Sequence, residues 1–492
     1  MRHLTKLIHI ASFLLVFTSI SQKLYGQANT MYYLGNAPQS YLFNPATQPS
    51  CDAHAALPVF SEFYVNIHTS GLSGSDLLWL DPETDSLIHP FHPKADINEF
   101  LNNFGDVESL GLTAHLNLFS IGFRVKEMYF SLDGTIKANN NLTLSKDLME
   151  FLLIGNEDGR TYDFSDVGFE SLQYAEIGLN ISRNFNDRLQ IGIRPKYLAG
   201  LATISPVNNN TSLYTSTEEW VLTANYQARV AATGVTIPVD EDGMIDLDGE
   251  FLIDSTMISP AGYKKIFSSN WGLGIDLGVH FKPTERIQLS ASVIDLGYIK
   301  WRENTQITSL NGTFAYTGLE QTLDDSTNPG DLLLDSLKES LNITGSNEAF
   351  VTTLHPKVTL GGRYFLTQGF DVGFLSRMDL YPSYVESDIL LLANWRPIPM
   401  IAISGSYSLL KGNLNTFGLG LGLRLGPLNF YSVIDHLPFQ YDMANVDGAS
   451  VPMPVDVSEY SVKFGFNLLF GCNQKKKLVQ DKPLFSSSDW IL

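Results

Sequence analysis

The stretch from Trp271 to Phe281 alternates without exception between two kinds of side chain. Its odd positions are large and apolar, whereas its even positions are glycine, aspartate or histidine. Since successive side chains of a strand point to opposite faces, this pattern predicts a β-strand between two different environments. Two classes of protein contain such strands: a soluble sandwich, whose apolar face meets a core, and an outer-membrane barrel, whose apolar face meets lipid.

The chain as a whole favours the barrel. Only 17% of its 492 residues are charged, 12% are aromatic and 39 are glycine, a composition more typical of a barrel with aromatic girdles than of a soluble enzyme. A basic start and the apolar stretch Leu7–Ile20 predict a signal peptide over residues 1–26, with cleavage before Gln27 preferred to cleavage before Gln22. No other apolar run is long enough for a membrane helix. We therefore expect export to the outer membrane of a Gram-negative cell.

Alternation recurs along the chain and predicts about fourteen strands, an even number as a closed single-chain barrel requires. The predicted strands are 57–68, 110–125, 128–140, 170–184, 188–204, 271–282, 287–300, 353–366, 370–381, 384–395, 399–410, 414–425, 428–436 and 457–470. Short turns are expected at the periplasmic rim and long polar loops outside. The predicted fold is thus all-β: a transmembrane antiparallel β-barrel of 14–16 strands with long extracellular loops.

Some segments leave alternatives open. Residues 211–232 are interpreted as a projecting hairpin or an extra strand pair, and residues 303–316 are expected to be extended too. The apolar phase slips at Ile294 and again between Leu118 and Ile121, which predicts bulges. A bulge that curves the wall is favoured over one that opens it laterally.

The segment before the first strand reads LGNAPQSYLFNPATQP (Leu34–Pro49), with Asn44, Pro45 and Ala46 near its end. Together with the hairpin that starts at Trp271, it resembles the FadL/PorV-like superfamily and looks like an uncharacterised Bacteroidota family of outer-membrane barrels. The resemblance implies that the N-terminal segment enters the lumen as a plug, with Asn44-Pro45-Ala46 as its gate. Long acidic loops and a tail after Phe470 depart from FadL and argue against fatty-acid transport. The expected organisation is a plug segment over 27–56, a barrel over 57–470 and a periplasmic tail over 471–492.

The polar face of the strands carries charges of both signs. The candidate lumen-facing residues are Glu176, Arg194, Lys196, Asp276, His280, Lys357, Arg363, Asp371, Arg377, Asp379 and Arg424. Because both signs are present, no single-sign ion filter is implied, and a salt-bridged network that supports the plug is favoured over a substrate pathway. His115 and His280 face the lumen, but no nucleophile-elbow motif lies near them, so we expect neither enzymatic activity nor a cofactor.

The formal net charge of −20 lies mainly in the long loops and disfavours nucleic acid as a partner. One acidic loop offers a calcium candidate formed by Asp240, Asp242, Asp246 and Asp248. Its spacing does not match an EF-hand, because Gly243 follows Asp242 directly, and a solvated loop without metal is favoured.

Cys51 precedes the first predicted strand and Cys472 follows the last. First and last strands are neighbours in a closed barrel, and both ends would face the oxidising periplasm, so a disulfide is one interpretation. It requires Cα atoms within about 7 Å. Two separate free thiols are the favoured alternative.

Two functions fit these expectations. The first is FadL-like transport of a hydrophobic or small amphipathic molecule, which predicts an apolar pocket beside the plug. The alternative is a non-transporting scaffold that resembles PorV/PorP-type proteins and binds secretion or gliding machinery, which predicts a sealed lumen. The expected partners are outer-membrane lipid, a hydrophobic ligand and an envelope protein. A soluble β-sandwich enzyme is a distant third interpretation.

Overall fold

The computed structural model of the protein describes residues 30–35, 37–56, 61–81, 87–238, 252–254, 259–318, 340–381, 385–408, 416–437, 440–446, 449–455 and 458–472. The predicted signal peptide, the calcium candidate and the tail beyond residue 472 lie outside these residues. Over the part of the chain that is described, no helix combines the length and the apolar character needed to cross a membrane.

Strands make up most of the described chain. In chain order they are β1 (Ala53–Ala56), β2 (Glu62–Thr69), β3 (Trp79–Leu80), β4 (Leu87–Ile88), β5 (Val107–Val125), β6 (Met128–Ser145), β7 (Arg160–Asp163), β8 (Gly168–Asn184), β9 (Leu189–Asn209), β10 (Ser212–Thr215), β11 (Trp220–Ala232), β12 (Val235–Thr236), β13 (Leu252–Ile253), β14 (Trp271–Phe281), β15 (Ile287–Trp301), β16 (Thr305–Tyr316), β17 (Leu341–Ser346), β18 (Phe350–Thr353), β19 (Lys357–Phe365), β20 (Phe370–Leu380), β21 (Val385–Ile398), β22 (Ile401–Ser408), β23 (Thr416–Leu425), β24 (Leu428–Leu437), β25 (Gln440–Val446), β26 (Ala449–Val455) and β27 (Glu459–Phe470).

Helices are few and short. Two 3₁₀ helices, Thr30–Tyr33 and Pro38–Leu42, precede the first strand. Four α-helices follow in the described connections between strands: α1 (Gly74–Leu77), α2 (Ile97–Asn103), α3 (Lys146–Leu153) and α4 (Pro260–Ser268).

Antiparallel pairing closes the wall into a ring of fourteen strands. The order is β2-β5-β6-β8-β9-β14-β15-β19-β20-β21-β22-β23-β24-β27, and β27 pairs with β2 to complete it. Strand β1 also lies between β5 and β27, so β1 and β2 are two parts of one wall strand. The wall therefore begins at Ala53, four residues before the predicted start. The predicted closed barrel is confirmed, and a sandwich of two sheets is excluded.

Six further strands extend one side of the barrel beyond the rim that carries the long connections. Strand β11 pairs with the end of β9 and with β16, while β10 joins β11 to β7. Strand β17 continues the sheet beyond β16, and β18 pairs with the end of β15. Residues 211–232 thus form the projecting hairpin that was one of the two predicted alternatives.

Both predicted bulges are present. The register between β14 and β15 shifts between Ile275 and Leu277, opposite Asp295 with φ of 61°. The register between β5 and β6 shifts between Asn117 and Phe119. A positive φ is uncommon for a residue with a side chain, and here it accompanies the extra residue that turns Asp295 to the inside of the barrel.

The two faces of the wall have opposite character. Outward side chains are apolar and exposed, as at Leu273 (47% exposed) and Leu289 (44%), whereas inward polar side chains such as Arg194 and Asp276 are 1% exposed. A soluble protein keeps apolar side chains inside as a rule. The reversed arrangement suits a wall whose outer face meets hydrocarbon, because a closed barrel leaves no backbone group unpaired there.

Candidate functional site

The N-terminal segment, which we define as residues 30–35 and 37–50, lies inside the ring of strands. Its side chains are largely buried, with Met31, Tyr41, Asn44 and Ala46 each 0% exposed. Its hydrogen bonds reach side chains on widely separated wall strands, among them Ser120, Asp133, His280, Ser290, Ser292, Ser404, Ser406, Asp435 and Asn467. Only a position within the lumen allows contacts around so much of the circumference.

Asn44 holds the turn of the segment. Its Nδ2 donates to the Tyr32 hydroxyl at 2.9 Å, and its Oδ1 accepts from the Ala46 backbone N–H at 3.0 Å. Longer bonds run from the same Nδ2 to the backbone carbonyls of Val279 (3.4 Å) and Ala291 (3.3 Å) on the wall. One amide group therefore organises the segment and fixes it to two neighbouring strands.

Two glycines make room for this turn. Gly192 on β9 and Gly278 on β14 are register partners. A Cβ at Gly192 would overlap the Pro45 carbonyl, and one at Gly278 would overlap the Asn44 side chain. The three predicted gate residues thus lie against a pair of inward glycines, where the backbones approach closely.

Two tyrosines of the segment form hydrogen-bond contacts with polar side chains of the wall. The Tyr33 hydroxyl lies 2.9 Å from Ser290 Oγ, and the Tyr41 hydroxyl donates to Asp133 at 3.1 Å. Burial raises the pKa of Tyr33; burial and the nearby Asp133 carboxylate raise the pKa of Tyr41. Both hydroxyls therefore keep their protons and remain able to donate.

A network of eight charged side chains lies beside the segment. Arg194 contacts three carboxylates: Asp133 (Nε to Oδ1, 3.1 Å), Glu176 (2.9 Å) and Asp276 (2.9 Å). The remaining members are Lys137, Lys196, Asp295 and Lys357. Lys196 bridges Asp276 (2.7 Å) and Asp295 (2.5 Å), and Lys137 bridges Glu176 (3.0 Å) and Asp295 (3.4 Å).

The positive and negative charges of the network are equal in number. It contains four carboxylates and four cations, since Lys357 approaches Asp295 at 3.9 Å as the fourth cation. Buried charges are expensive unless each is paired and hydrogen-bonded. Arg194 meets that condition, because it is hydrogen-bonded to three carboxylates. The predicted residues Glu176, Arg194, Lys196, Asp276 and Lys357 are thus brought together.

The remaining predicted lumen residues make contacts of their own. Asp379 lies opposite Lys357 in the register of β19 and β20, and Asp371 pairs with Arg396. His280 Nε2 lies 2.9 Å from Thr47 Oγ1 on the segment, and Arg363 donates to Gln288 at 2.7 Å. Arg377 pairs with Asp379 at 2.7 Å. Arg424 is half-buried near the disulfide, with Nη1 4.0 Å from Cys51 Sγ.

Sequence reasoning missed three acids of the site. Asp133 and Asp295 belong to the network, and Glu62 pairs with Lys463 at 3.1 Å on the other side of the lumen. The strand alternation of β6 already places Asp133 inward, and the phase slip at Ile294 marks the residue beside it as irregular. These sequence signals place the acids on the inner face, but they do not identify the cations with which the acids pair.

Two small polar cavities lie in the lumen, one of them beside the segment. One of about 50 Å³ is lined by Leu42 and Phe43 of the segment together with charged side chains of the network. A second of about 70 Å³ shares His115, Lys137 and Asp295 with it and continues away from the segment. The predicted apolar pocket beside the plug is not found among the described lumen residues. The large apolar concavity, about 1250 Å³, is instead lined mostly by residues of the lipid-facing surface of the wall.

A disulfide joins the start and the end of the barrel. Cys51 and Cys472 are linked, with an S–S distance of 2.04 Å and Cα atoms 4.2 Å apart. The favoured interpretation of two free thiols is therefore wrong, because closure of the ring brings β1 beside β27 and places both cysteines at one rim. The bond anchors the end of the N-terminal segment to the last strand.

Within the described part of the chain, no group of three or more histidine, cysteine, aspartate or glutamate side chains is arranged to hold a metal ion. The acidic loop with the calcium candidate lies outside that part, so the candidate stays a prediction.

The fold defines the class of a transmembrane β-barrel with a filled lumen. The chain belongs to the Family of unknown function (DUF5723), whose model matches residues 45–435, and the predicted kind of family is confirmed. No curated protein sequence matches this chain.

Solved structures resemble the chain at very low identity. The toluene transporter TodX of Pseudomonas putida has 9% identity and a TM-score of 0.39, covering 92% of this chain and 96% of its own. A Pseudomonas aeruginosa FadL homologue has 10% identity and a TM-score of 0.40, covering 92% and 100%. The CymD monoaromatic hydrocarbon channel has 10% identity and a TM-score of 0.40, covering 92% and 99%.

Proposed function

We propose that this protein is an outer-membrane transport barrel whose lumen is gated by the N-terminal segment, and that it passes a small amphipathic molecule. The observation that carries the proposal is the way the segment is held. Residues 30–50 contact the wall through side chains and contribute no strand to the sheet in their described part. The segment can therefore leave its position without breaking any ladder of the barrel.

The cavities favour an amphipathic cargo over a purely hydrophobic one. Their walls combine cations and carboxylates with aromatic groups such as Phe43 and Tyr174. Ionisable groups within the membrane region often mark a pathway. Cavities of about 50 and 70 Å³ are far smaller than the roughly 300–1,000 Å³ of small-molecule sites. Passage therefore requires displacement of the segment.

The disulfide favours a second candidate, a non-transporting scaffold. The chain continues from the segment into β1, and the bond between Cys51 and Cys472 adds a second link to the last strand, which limits how far the segment can move. A filled lumen and the sheet formed by β7, β10, β11, β16 and β17 would suit a barrel that presents a surface to an envelope protein. This reading needs no displacement of the segment.

One experiment separates the two functions. The full chain and a variant lacking residues 27–50 are purified from outer membranes, then compared by planar-bilayer conductance and by native mass spectrometry. Transport predicts higher conductance in the variant, together with a small bound mass that only the full chain retains. Equal, negligible conductance in both proteins, with a stoichiometric protein partner on the full chain, would overturn transport and support the scaffold. A variant that is not heat-modifiable has lost the barrel, and Asn44→Ala then replaces it in the same comparison.

A further inference from the structure

The large apolar concavity lies on the outer face of the barrel, across strands β15 and β19 to β24. Its lining includes Leu289, Phe374, Leu391 and Phe417, which are 39–51% exposed. At about 1250 Å³ it exceeds the roughly 300–1,000 Å³ typical of ligand pockets. We call it the wall recess.

Small side chains create the recess. Ala393 on β21 and Gly405 on β22 are register partners, and the next outward pair along these strands is Leu391 and Tyr407. A Cβ added at Gly405 would meet no atom within 4 Å. The space in front of Gly405 is thus open, and large side chains flank it.

A cation lies beside one end of the recess. Ile287 and Tyr364 line that end, next to the short turn before β15, and Arg286 Nη1 donates to the Tyr364 hydroxyl at 3.4 Å. Arg286 is exposed, and among the described residues no carboxylate lies within ion-pair distance of it. Its guanidinium has five donors, of which this bond uses one.

We propose that the wall recess binds the acyl chains of an anionic phospholipid whose phosphate contacts Arg286. The proposal rests on the membrane location given above. Acyl chains are the medium that surrounds an outward apolar surface of a barrel, and a recess orders them by shape. Arginine binds phosphate by paired, charge-assisted hydrogen bonds. Short turns mark the periplasmic rim, so the lipid belongs to the periplasmic leaflet.

The test counts lipids on the full chain by native mass spectrometry. The protein is exchanged into mixed micelles of phosphatidylglycerol and phosphatidylethanolamine with identical acyl chains. We expect one retained phosphatidylglycerol per barrel. Arg286→Gln should lower the preference for phosphatidylglycerol about fivefold, the contribution of one basic residue at an anionic surface.

Two further variants make the test specific. Gly405→Phe fills the recess and should remove retained lipid of both kinds, without strain at a position with free space for the new side chain. Arg183→Gln is the matched control, because Arg183 is an exposed arginine at the end of β8 that stacks on Phe185 away from the recess. It should retain lipid like the unaltered protein.

The outcomes are distinct. Retention of no lipid, equal preference in Arg286→Gln and Arg183→Gln, or a stable dimer in place of the lipid-bound monomer would each overturn the lipid site. A chain that stays soluble without detergent would refute the membrane location as well. Failure of the gating experiment, by contrast, leaves lipid retention unaffected.

Discussion

Replacing Asn44 by alanine should shift the N-terminal segment toward a displaced state. The change removes the two bonds from Nδ2 to the wall carbonyls of Val279 (3.4 Å) and Ala291 (3.3 Å), and within the segment it removes the acceptor of the Ala46 N–H. The two wall bonds contribute about 1 kcal/mol each, and the Ala46 N–H left unpaired in the buried, inserted state costs about 1 kcal/mol more. The inserted state therefore loses ~3 kcal/mol, which corresponds to a roughly 100-fold increase in the displaced population.

Single-channel recording in planar bilayers measures this shift as the fraction of time spent in a conducting state. Asn180→Ala is the matched control, because Asn180 is a fully buried asparagine with no hydrogen-bond partner for its side-chain N or O in the described structure. Asn44→Ala should conduct far more often than the unaltered protein, whereas Asn180→Ala should match it. If Asn44→Ala stays closed while the barrel remains folded, Asn44 does not hold the gate.

Three further substitutions test the lumen site and the disulfide that joins the start and the end of the barrel. Gly278→Ala should increase conductance as Asn44→Ala does, because its Cβ would overlap the Asn44 side chain; unchanged closure would contradict the close approach. Arg194→Met should destabilise the barrel by about 3–5 kcal/mol, since three carboxylates lose their shared cation; an unaltered urea midpoint would refute this. Cys51→Ser should lower the urea midpoint of the unreduced protein to that of the reduced, unaltered one; a midpoint that is insensitive to reductant would show that the bond adds no stability.

The wall was predictable because face alternation is a local signal. The strand expected over 271–282 is observed as Trp271–Phe281, and the phase slip at Ile294 correctly marked a bulge. The polarity of each side chain indicates which face of the wall it lies on, so no knowledge of distant residues is needed. The projecting sheet was less certain, because its strands alternate in the same way as those of the wall.

The contacts across the lumen were not predictable in this way. Alternation places Arg194 and Asp276 inside, but which inward charges meet depends on strand order, register and barrel size. The disulfide was not predictable for a similar reason. Closure of the barrel brings Cys51 and Cys472 close together, but it does not determine whether they form a bond. The apolar pocket that the transport hypothesis expected beside the plug is not found among the described lumen residues. The large concavity on the outer wall was not predicted, because outward small residues such as Gly405 resemble any other strand position in sequence.

Three inward glycines have a shared explanation that links the wall to the N-terminal segment. Gly192 and Gly278 lie against Pro45 and Asn44, while a Cβ at Gly361 would overlap the Tyr33 hydroxyl. A glycine within a strand weakens it by roughly 0.5–1 kcal/mol relative to alanine. That cost is borne at strand positions where the segment approaches most closely. The shape of the segment is therefore encoded in part in strands far from it in sequence, and this explains the glycine at these three positions of the inner face.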